Sequence, residues 1–185
     1  MDVQQNHDRI KVFSDGSRNA DGAGSGGIVR VFDETTAWSG VRLGDRYQVT
    51  VLETELAGIL LALHVINRLR TIDEATIYCN SQLAIACVEG VAHGAPKALL
   101  KPILLIMRTI RARTDCLRLD LKWCPAHCGV RGNFLAEQEA IAATRGKTYR
   151  PDLVPRALAN YKPSIGRHLV KLLTKEDSKL VFEQP

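Results

Sequence analysis

Residues 75–87, "ATIYCNSQLAIAC", decide the fold class. "ATIYC" is an apolar run of strand length, and "SQLAIACVE" behind it carries the spacing of a helix halted at Gly90. A strand running straight into a helix implies a crossover, and so parallel pairing of the strands that follow. Asn80 and Ser81 stand at the joint. Asn is among the best helix N-caps, so Asn80 reads either as an ordinary cap or as a carboxylate with its charge removed.

Upstream the pattern differs. "RIKVFSD" alternates Ile10 and Val12 against Lys11 and Phe13, and a turn-rich "DGSRNADGAGSGG" follows. "GIVRVF" and "TTAWSGVRL" then read as two more strands, which makes an antiparallel meander of three. In "TELAGILLALHVINRLR", Leu56, Ile59, Leu60, Leu63 and Ile66 recur at three- and four-residue spacing. That is a helix with a wide apolar face, expected to lie across the sheet. A meander followed by strand-helix units gives a mixed α/β fold.

Downstream, Pro96 and Pro102 bracket the start of "ILLIMRTIRAR", where Ile103, Ile106, Met107 and Ile110 form a stripe. Proline is expected there only in a first turn or at a kink. "LRLDLKW" sets Leu117, Leu119, Leu121 and Trp123 on one face and Arg118, Asp120 and Lys122 on the other, the pattern of a strand near a sheet edge. "PAHCGVRG" is a loop, and Asn133 is the expected N-cap of "FLAEQEAIAAT", whose Ala136, Ala140 and Ala143 permit close approach to a neighbour. From Arg145 the chain turns basic and proline-punctuated, with no strand signal. The expected division is a tail (1–9), a domain (10–144) and a basic, helical appendage (145–185), in which Ser164 caps "PSIGRHLVKLLTKE".

The bulk numbers fit one folded domain with a real core: 185 residues, 45% hydrophobic and 24% charged. The longest apolar candidate, "LAGILLALHVI", falls short of a membrane span, and "MDVQQNHDRIK" is not a signal peptide, so an intracellular protein of cytoplasm or nucleus is expected. Five cysteines, an odd count in a chain that needs no staples, are expected as thiols. A net charge of +5 favours an anionic partner, nucleic acid being the commonest.

Four acidic or acid-like positions fall at element ends or on core-facing helices: Asp15, Glu55, Asn80 and Glu137. Clustered carboxylates are the hard oxygen donors that Mg²⁺ or Mn²⁺ accepts, and two such ions can drive an in-line phosphodiester displacement. Taken singly, each position has an ordinary explanation. Asp15 before Gly16 suits a turn, Glu55 suits a first helical turn, and Glu137 and His127 suit an exposed surface. "CPAHC" admits a zinc reading through Cys124, His127 and Cys128, with Cys116 or Cys79 as fourth ligand, but its spacing lacks paired ligand knuckles. His64 is read as structural, and Arg108, Arg111 and Arg113 as a solvated helix face.

In order along the chain, "VFSDGSRNADGAGSGGIV", "TELAGILLAL", "IYCNSQLAI" and "LKWCPAHCGVRGNFLAEQEA" resemble the four motifs of the ribonuclease H family. The match spans residues 10 to 143, and the last segment resembles that family's Trp-x-Pro-x-His-x-Gly-x-x-Gly-Asn signature with an acid four residues on. In style the motifs are most similar to the ribonuclease H domains of non-LTR, fungal-type retrotransposons, which would make the chain part of a reverse-transcriptase polyprotein. The resemblance implies a ribonuclease H-like mixed five-stranded sheet with helices on both faces. It also implies a two-metal Mg²⁺ or Mn²⁺ site at Asp15, Glu55, Asn80 and Glu137, with His127 assisting proton transfer. Gly16, Ser17, Asn19 and Ser81 would lie along the RNA strand, and Asn133 would hold the last loop. The implied substrate is an RNA/DNA hybrid, in which the RNA strand is told apart by its 2′-hydroxyl.

Two positions depart from the family pattern. Glu137 stands where Asp is usual, which keeps the charge on a longer arm. Asn80 stands where the third Asp is usual, and its amide brings no charge, so a metal position would be weakened. The expected function is metal-dependent cleavage of the RNA strand, impaired by Asn80. The alternative is a nuclease-inactive module that binds nucleic acid or serves a structural role.

Overall fold

A computed structural model describes residues 9–31, 34–69, 74–112, 118–147 and 149–163. The N-terminal tail, Arg113, Cys116, Leu117 and the helix expected after Ser164 lie outside the described residues. Strands β1 (Arg9–Asn19), β2 (Gly22–Val31) and β3 (Glu34–Gly44) precede helix α1 (Val51–Arg68), strand β4 (Glu74–Cys79) and helix α2 (Gln82–Val88). Helix α3 (Lys97–Arg111), strand β5 (Arg118–Trp123) and helix α4 (Arg131–Thr144) follow, then a 3-10 turn (Pro151–Leu153) and the short α5 (Arg156–Ala159). The five strands form one sheet in the order β3-β2-β1-β4-β5. β1, β2 and β3 pair antiparallel, whereas β1–β4 and β4–β5 pair parallel. The α/β fold class expected from "ATIYCNSQLAIAC" is therefore present, with helices on both faces.

The run "DGSRNADGAGSGG" is not the long turn its composition implies. β1 continues to Asn19 and β2 begins at Gly22, so only Ala20 and Asp21 turn. The glycines serve packing instead. A Cβ on Gly16 would sit 2.4 Å from Thr54 Oγ1 of α1, and one on Gly26 would sit 2.4 Å from Ala140 N of α4. Side chains alternate across a strand, so β2 turns Gly24 and Gly26 to α4 and Gly27 to Leu61 of α1. The bare backbone brings both helices close to the sheet.

α1 begins at Val51, three residues before the expected "TELAGILLAL", because Thr50 forms a capping box with Glu53. Glu53 donates its amide to Thr50 Oγ1 (3.2 Å), and Thr50 donates its own to Glu53 Oε2 (2.7 Å). On this side of the sheet α1 packs with α2 and α3, and the core runs through Leu56, Leu60, Leu63, Ile77, Leu99 and Ile103. α4 covers the other face, over β1, β2 and β3. Pro102 lies inside α3 rather than in its first turn. The amide it lacks would have bonded the Ala98 carbonyl, and Ala98 is exposed, so water can take that place.

β5 is the edge strand its alternation implies, with Leu119 buried and Trp123 exposed at 50%. Residues 149–163, assigned by composition to an appendage, lie against the domain. His64 Nε2 meets the Asp152 carbonyl at 3.0 Å, Arg68 pairs with Asp152 at 3.1 Å, and the Tyr161 hydroxyl donates to the buried Glu53. His64 thus holds the structural role expected of it.

Candidate active site

β1 and β4 stop pairing at Ser14 and Cys79, and the next residues, Asp15 and Asn80, face one another where the strands part. Crevices of this kind, beyond the carboxyl ends of parallel strands, are the usual ligand sites of open α/β sheets. Asn80 Nδ2 donates to Asp15 Oδ1 (3.3 Å), which also accepts from the Gly16 amide (2.7 Å). Asn80 Oδ1 is buried and lacks a hydrogen-bond partner among the described residues. Asn80 is not the cap of α2. Ser81 is, accepting from the Ala84 amide at 3.2 Å, which leaves the Asn80 side chain free to turn toward Asp15.

α1 contributes Glu55, 6% exposed beside a 5% exposed Asp15, and the Cys79 thiol donates to its Oε2 at 3.8 Å. α4 contributes Glu137, whose Oε2 lies 3.5 Å from His127 Nδ1, and whose charge is felt at Asp15. His127 projects from the loop before α4 with φ 55, a left-handed conformation uncommon outside glycine. Asn133 does not cap α4, since Val130 holds that position. It sits in the first turn, buried, and its Oδ1 accepts from the Cys124 thiol at 3.4 Å. With Cys124 turned inward and Cys128 exposed, the cysteines of "CPAHC" do not face a common centre.

Burial pushes Asp15 up from 3.8 to about 6, with Glu137 adding repulsion against the bonds from Gly16 and Asn80. Burial and then the neighbouring Asp15 push Glu55 up from 4.5 to about 8. These two folded-state values exceed the unfolded ones, so the folded chain holds extra protons between about pH 4 and 8, and stability declines as pH rises through that window. Without divalent salt, Tm is expected to fall between pH 5 and pH 8.5, with a flatter slope in Glu55→Gln. Parallel slopes for the two proteins in thermal denaturation would refute this account of the buried acids.

Among the described residues no three His, Cys, Asp or Glu side chains gather into a cation-binding group. The metal quartet expected from sequence is thus not assembled as a closed cage. Two N–H donors hold Asp15 Oδ1, and the third acid of the set is an amide. The donor chemistry still suits a hard cation: buried carboxylates in mutual repulsion beside an orphaned amide oxygen.

No known family profile matches the chain. No curated protein matches it either. Solved structures do. RNase H1 from the halophilic archaeon Halobacterium salinarum NRC-1 is similar at a TM-score of 0.57 and 17% identity, covering 73% of this chain and 96% of that one. The N-terminal RNase H domain of rv2228c from Mycobacterium tuberculosis, solved as a fusion with maltose-binding protein, gives 0.57 and 21%, covering 74% and 98%. LC11-RNase H1, solved in complex with an RNA/DNA hybrid, gives 0.54 and 20%, covering 72% and 98%. The fold is that of ribonuclease H.

This ribonuclease H-like fold carries two hollows on the elements that supply the site. Beside Glu137 and His127 lies a cleft of about 610 Å³ that runs past Arg131 to Phe134, which is 56% exposed. At the β1–β2 turn lies a second hollow of about 250 Å³, formed by Arg18, Asn19, Arg46 and Tyr47. Arg46 stacks over the Tyr47 ring at 4.5 Å, and Arg18 donates to the Arg46 carbonyl at 3.2 Å. Asn19 Oδ1 accepts from the Asp21 amide and so shapes the turn. Sequence reasoning missed Arg18, Arg46 and Tyr47. Their one sequence-level signal is a basic-aromatic pair, "RY", just before the α1 cap, and nothing local links it to Arg18.

Proposed function

We propose that this chain is a ribonuclease H-like domain that engages RNA/DNA hybrids and cleaves their RNA strand in a divalent-metal-dependent reaction, slowed by Asn80. The observation that carries the reading is the hydrogen bond between Asn80 and Asp15 where β1 and β4 part, with Glu55 of α1 and Glu137 of α4 close enough for their charges to act on Asp15. That one of the similar structures was solved with an RNA/DNA hybrid supports the substrate class. The fungal-type retrotransposon placement, and with it membership of a polyprotein, rests on the style of the motifs alone.

Asp15, Glu55, Asn80 and Glu137 would hold Mg²⁺ or Mn²⁺, which when bound supplies polarisation of the scissile phosphate and a water nucleophile at neutral pH. The chain's own groups do the rest. His127, exposed and within 3.5 Å of Glu137, takes or returns a proton at Nδ1. Gly16 and Ser17 border the strand path on β1, with Ser81 fixing the start of α2 and Asn133 the first turn of α4. Arg18, Asn19, Arg46 and Tyr47 extend that path. Arg18 lies three residues beyond Asp15, roughly 10 Å along the strand, and the two guanidinium groups contact phosphates.

A nuclease-inactive, binding-only role is favoured by one observation: the Asn80 amide bonds Asp15 Oδ1 without a cation. Incubating a labelled hybrid with the protein and with Asn80→Asp, in Mg²⁺ and in Mn²⁺, separates the readings. Cleavage by either supports the nuclease, binding without cleavage by both supports the second role, and neither binding nor cleavage removes both. Arg46→Ala is expected to weaken hybrid binding about fivefold and to reduce the salt slope by about 1. An unchanged slope in a fluorescence titration would exclude a phosphate contact.

A further inference from the structure

Along the far edge of the sheet, α3 and β5 enclose a groove of about 560 Å³. Arg108 and Arg111 of α3 line it together with Arg118 and Lys122 of β5, and the acids of its lining are Glu89 and Asp120. Asp120 Oδ2 is within ion-pair distance of Arg118 (3.3 Å) and Lys122 (3.4 Å), yet it is buried with no donor aligned for a hydrogen bond. It anchors the two β5 cations. Arg108, Arg111 and Glu89 form no ion pair among the described residues. Four cations converging on one groove repel one another, and the arrangement is relieved by an anion that spans them.

The groove has a direction. Lys122 pairs with Tyr78 in the sheet, and the next residue, Trp123, donates its indole N–H to the Asn80 carbonyl at 3.1 Å. One end of the groove therefore abuts the candidate active site. The other end, at Arg118, is four residues away, roughly 13 Å at strand spacing and close to the rise of about four nucleotides in a duplex.

We propose that this groove is a second nucleic-acid subsite, which grips the phosphodiester backbone of the hybrid beyond the β5 edge. The proposal rests on the hybrid-binding reading of the site above. Occupancy adds charge contacts without base contacts, so it raises affinity for any sequence and makes that affinity steeply salt-dependent.

The test is a fluorescence-anisotropy titration of a labelled RNA/DNA hybrid with the full chain over a range of NaCl. Arg108→Glu/Arg111→Glu is compared with Lys97→Glu/Lys101→Glu, the same charge change on the same helix outside the groove. The groove variant is expected to bind at least tenfold more weakly near 0.1 M salt, with the slope of log K against log salt reduced by about 2. Arg108→Gln/Arg111→Gln is expected to show a smaller loss in the same direction. The control is expected to lose less than threefold. Equal losses in groove and control variants overturn the subsite, because net charge alone then accounts for them. Parent binding that the groove variants leave unchanged overturns the subsite and leaves the hybrid-binding reading standing, whereas a parent that binds no hybrid even at low salt removes both.

Discussion

Asn80→Asp is expected to raise hybrid cleavage in Mg²⁺ by about a thousandfold, or from undetectable to measurable. The substitution changes one atom pair in a site already shaped for it. Asn80 Nδ2 lies 3.3 Å from Asp15 Oδ1, so an aspartate there would set a carboxylate directly against Asp15. A unit charge acting on a cation about 4 Å away is worth roughly 4 kcal/mol at an effective dielectric of 20, and each 1.36 kcal/mol is a factor of ten in rate. The same charge is unwelcome when no cation is present. Asp15 and Glu55 are already pushed toward their protonated forms, and a third acid loses the amide's hydrogen bond and adds repulsion. Asn80→Asp should therefore melt several degrees lower than the parent in EDTA and recover in Mg²⁺, while the parent's Tm barely responds to Mg²⁺. Cleavage rates equal in parent and variant, together with identical Mg²⁺ responses of Tm, would show that position 80 does not face the cation site.

Gly26→Ala is expected to destabilise the domain by about 3 kcal/mol, the upper end of ordinary overpacking, and to lower Tm by roughly 10 °C. The new Cβ would stand 2.4 Å from the Ala140 amide nitrogen and 2.5 Å from the Ala136 carbonyl oxygen. Both are backbone atoms of α4, which no rotamer change can move. Relief requires α4 to lift from β2, and Glu137 lies between those two contacts, so any cleavage by the Asn80→Asp background should fall as well. The neighbouring Gly27 supplies the control. A Cβ there meets Ser39 Oγ at 3.5 Å, an ordinary contact, and Gly in a strand interior costs about 0.5–1 kcal/mol relative to Ala. Gly27→Ala should hold or slightly raise Tm. Similar melting temperatures for the two alanine variants would refute the assignment of Gly26 as the spacer between sheet and helix.

The alternation of "RIKVFSD" and "LRLDLKW" and the apolar stripe of α1 were legible because each depends on a local period. The direct passage from "ATIYC" into a helix was legible for the same reason, and parallel pairing followed from it. The glycine-rich run was misread, because glycine signals a turn and a close backbone contact alike, and only the positions of α1 and α4 distinguish them. The two asparagines failed in a related way. Asn80 and Asn133 both have the right chemistry for a cap, but Ser81 and Val130 hold the cap positions, and each amide is committed to a tertiary partner, Asp15 or Cys124. The four acid-like positions were singled out by their place at element ends and on core-facing helices, and motif order, rather than any period, joined them into one proposed set. Arg18 and Arg46 meet across 28 residues of chain, and Arg108 and Arg111 meet Arg118 and Lys122 only once α3 lies beside the β5 edge. No periodicity carries that information.

The bond between Tyr161 and Glu53 ties the capping box of α1 to a residue 108 positions later. On a ribosome, the helix that carries Glu55 emerges long before the hydroxyl that completes its first turn. Until then the buried Glu53 carboxylate lacks one of its partners, and the capping box rests on Thr50 without it. Cleavage of the chain by a protease near residue 145 would return the domain to that unfinished condition. The last stretch of described polypeptide therefore acts as a clasp, fastened after the rest of the garment is already on.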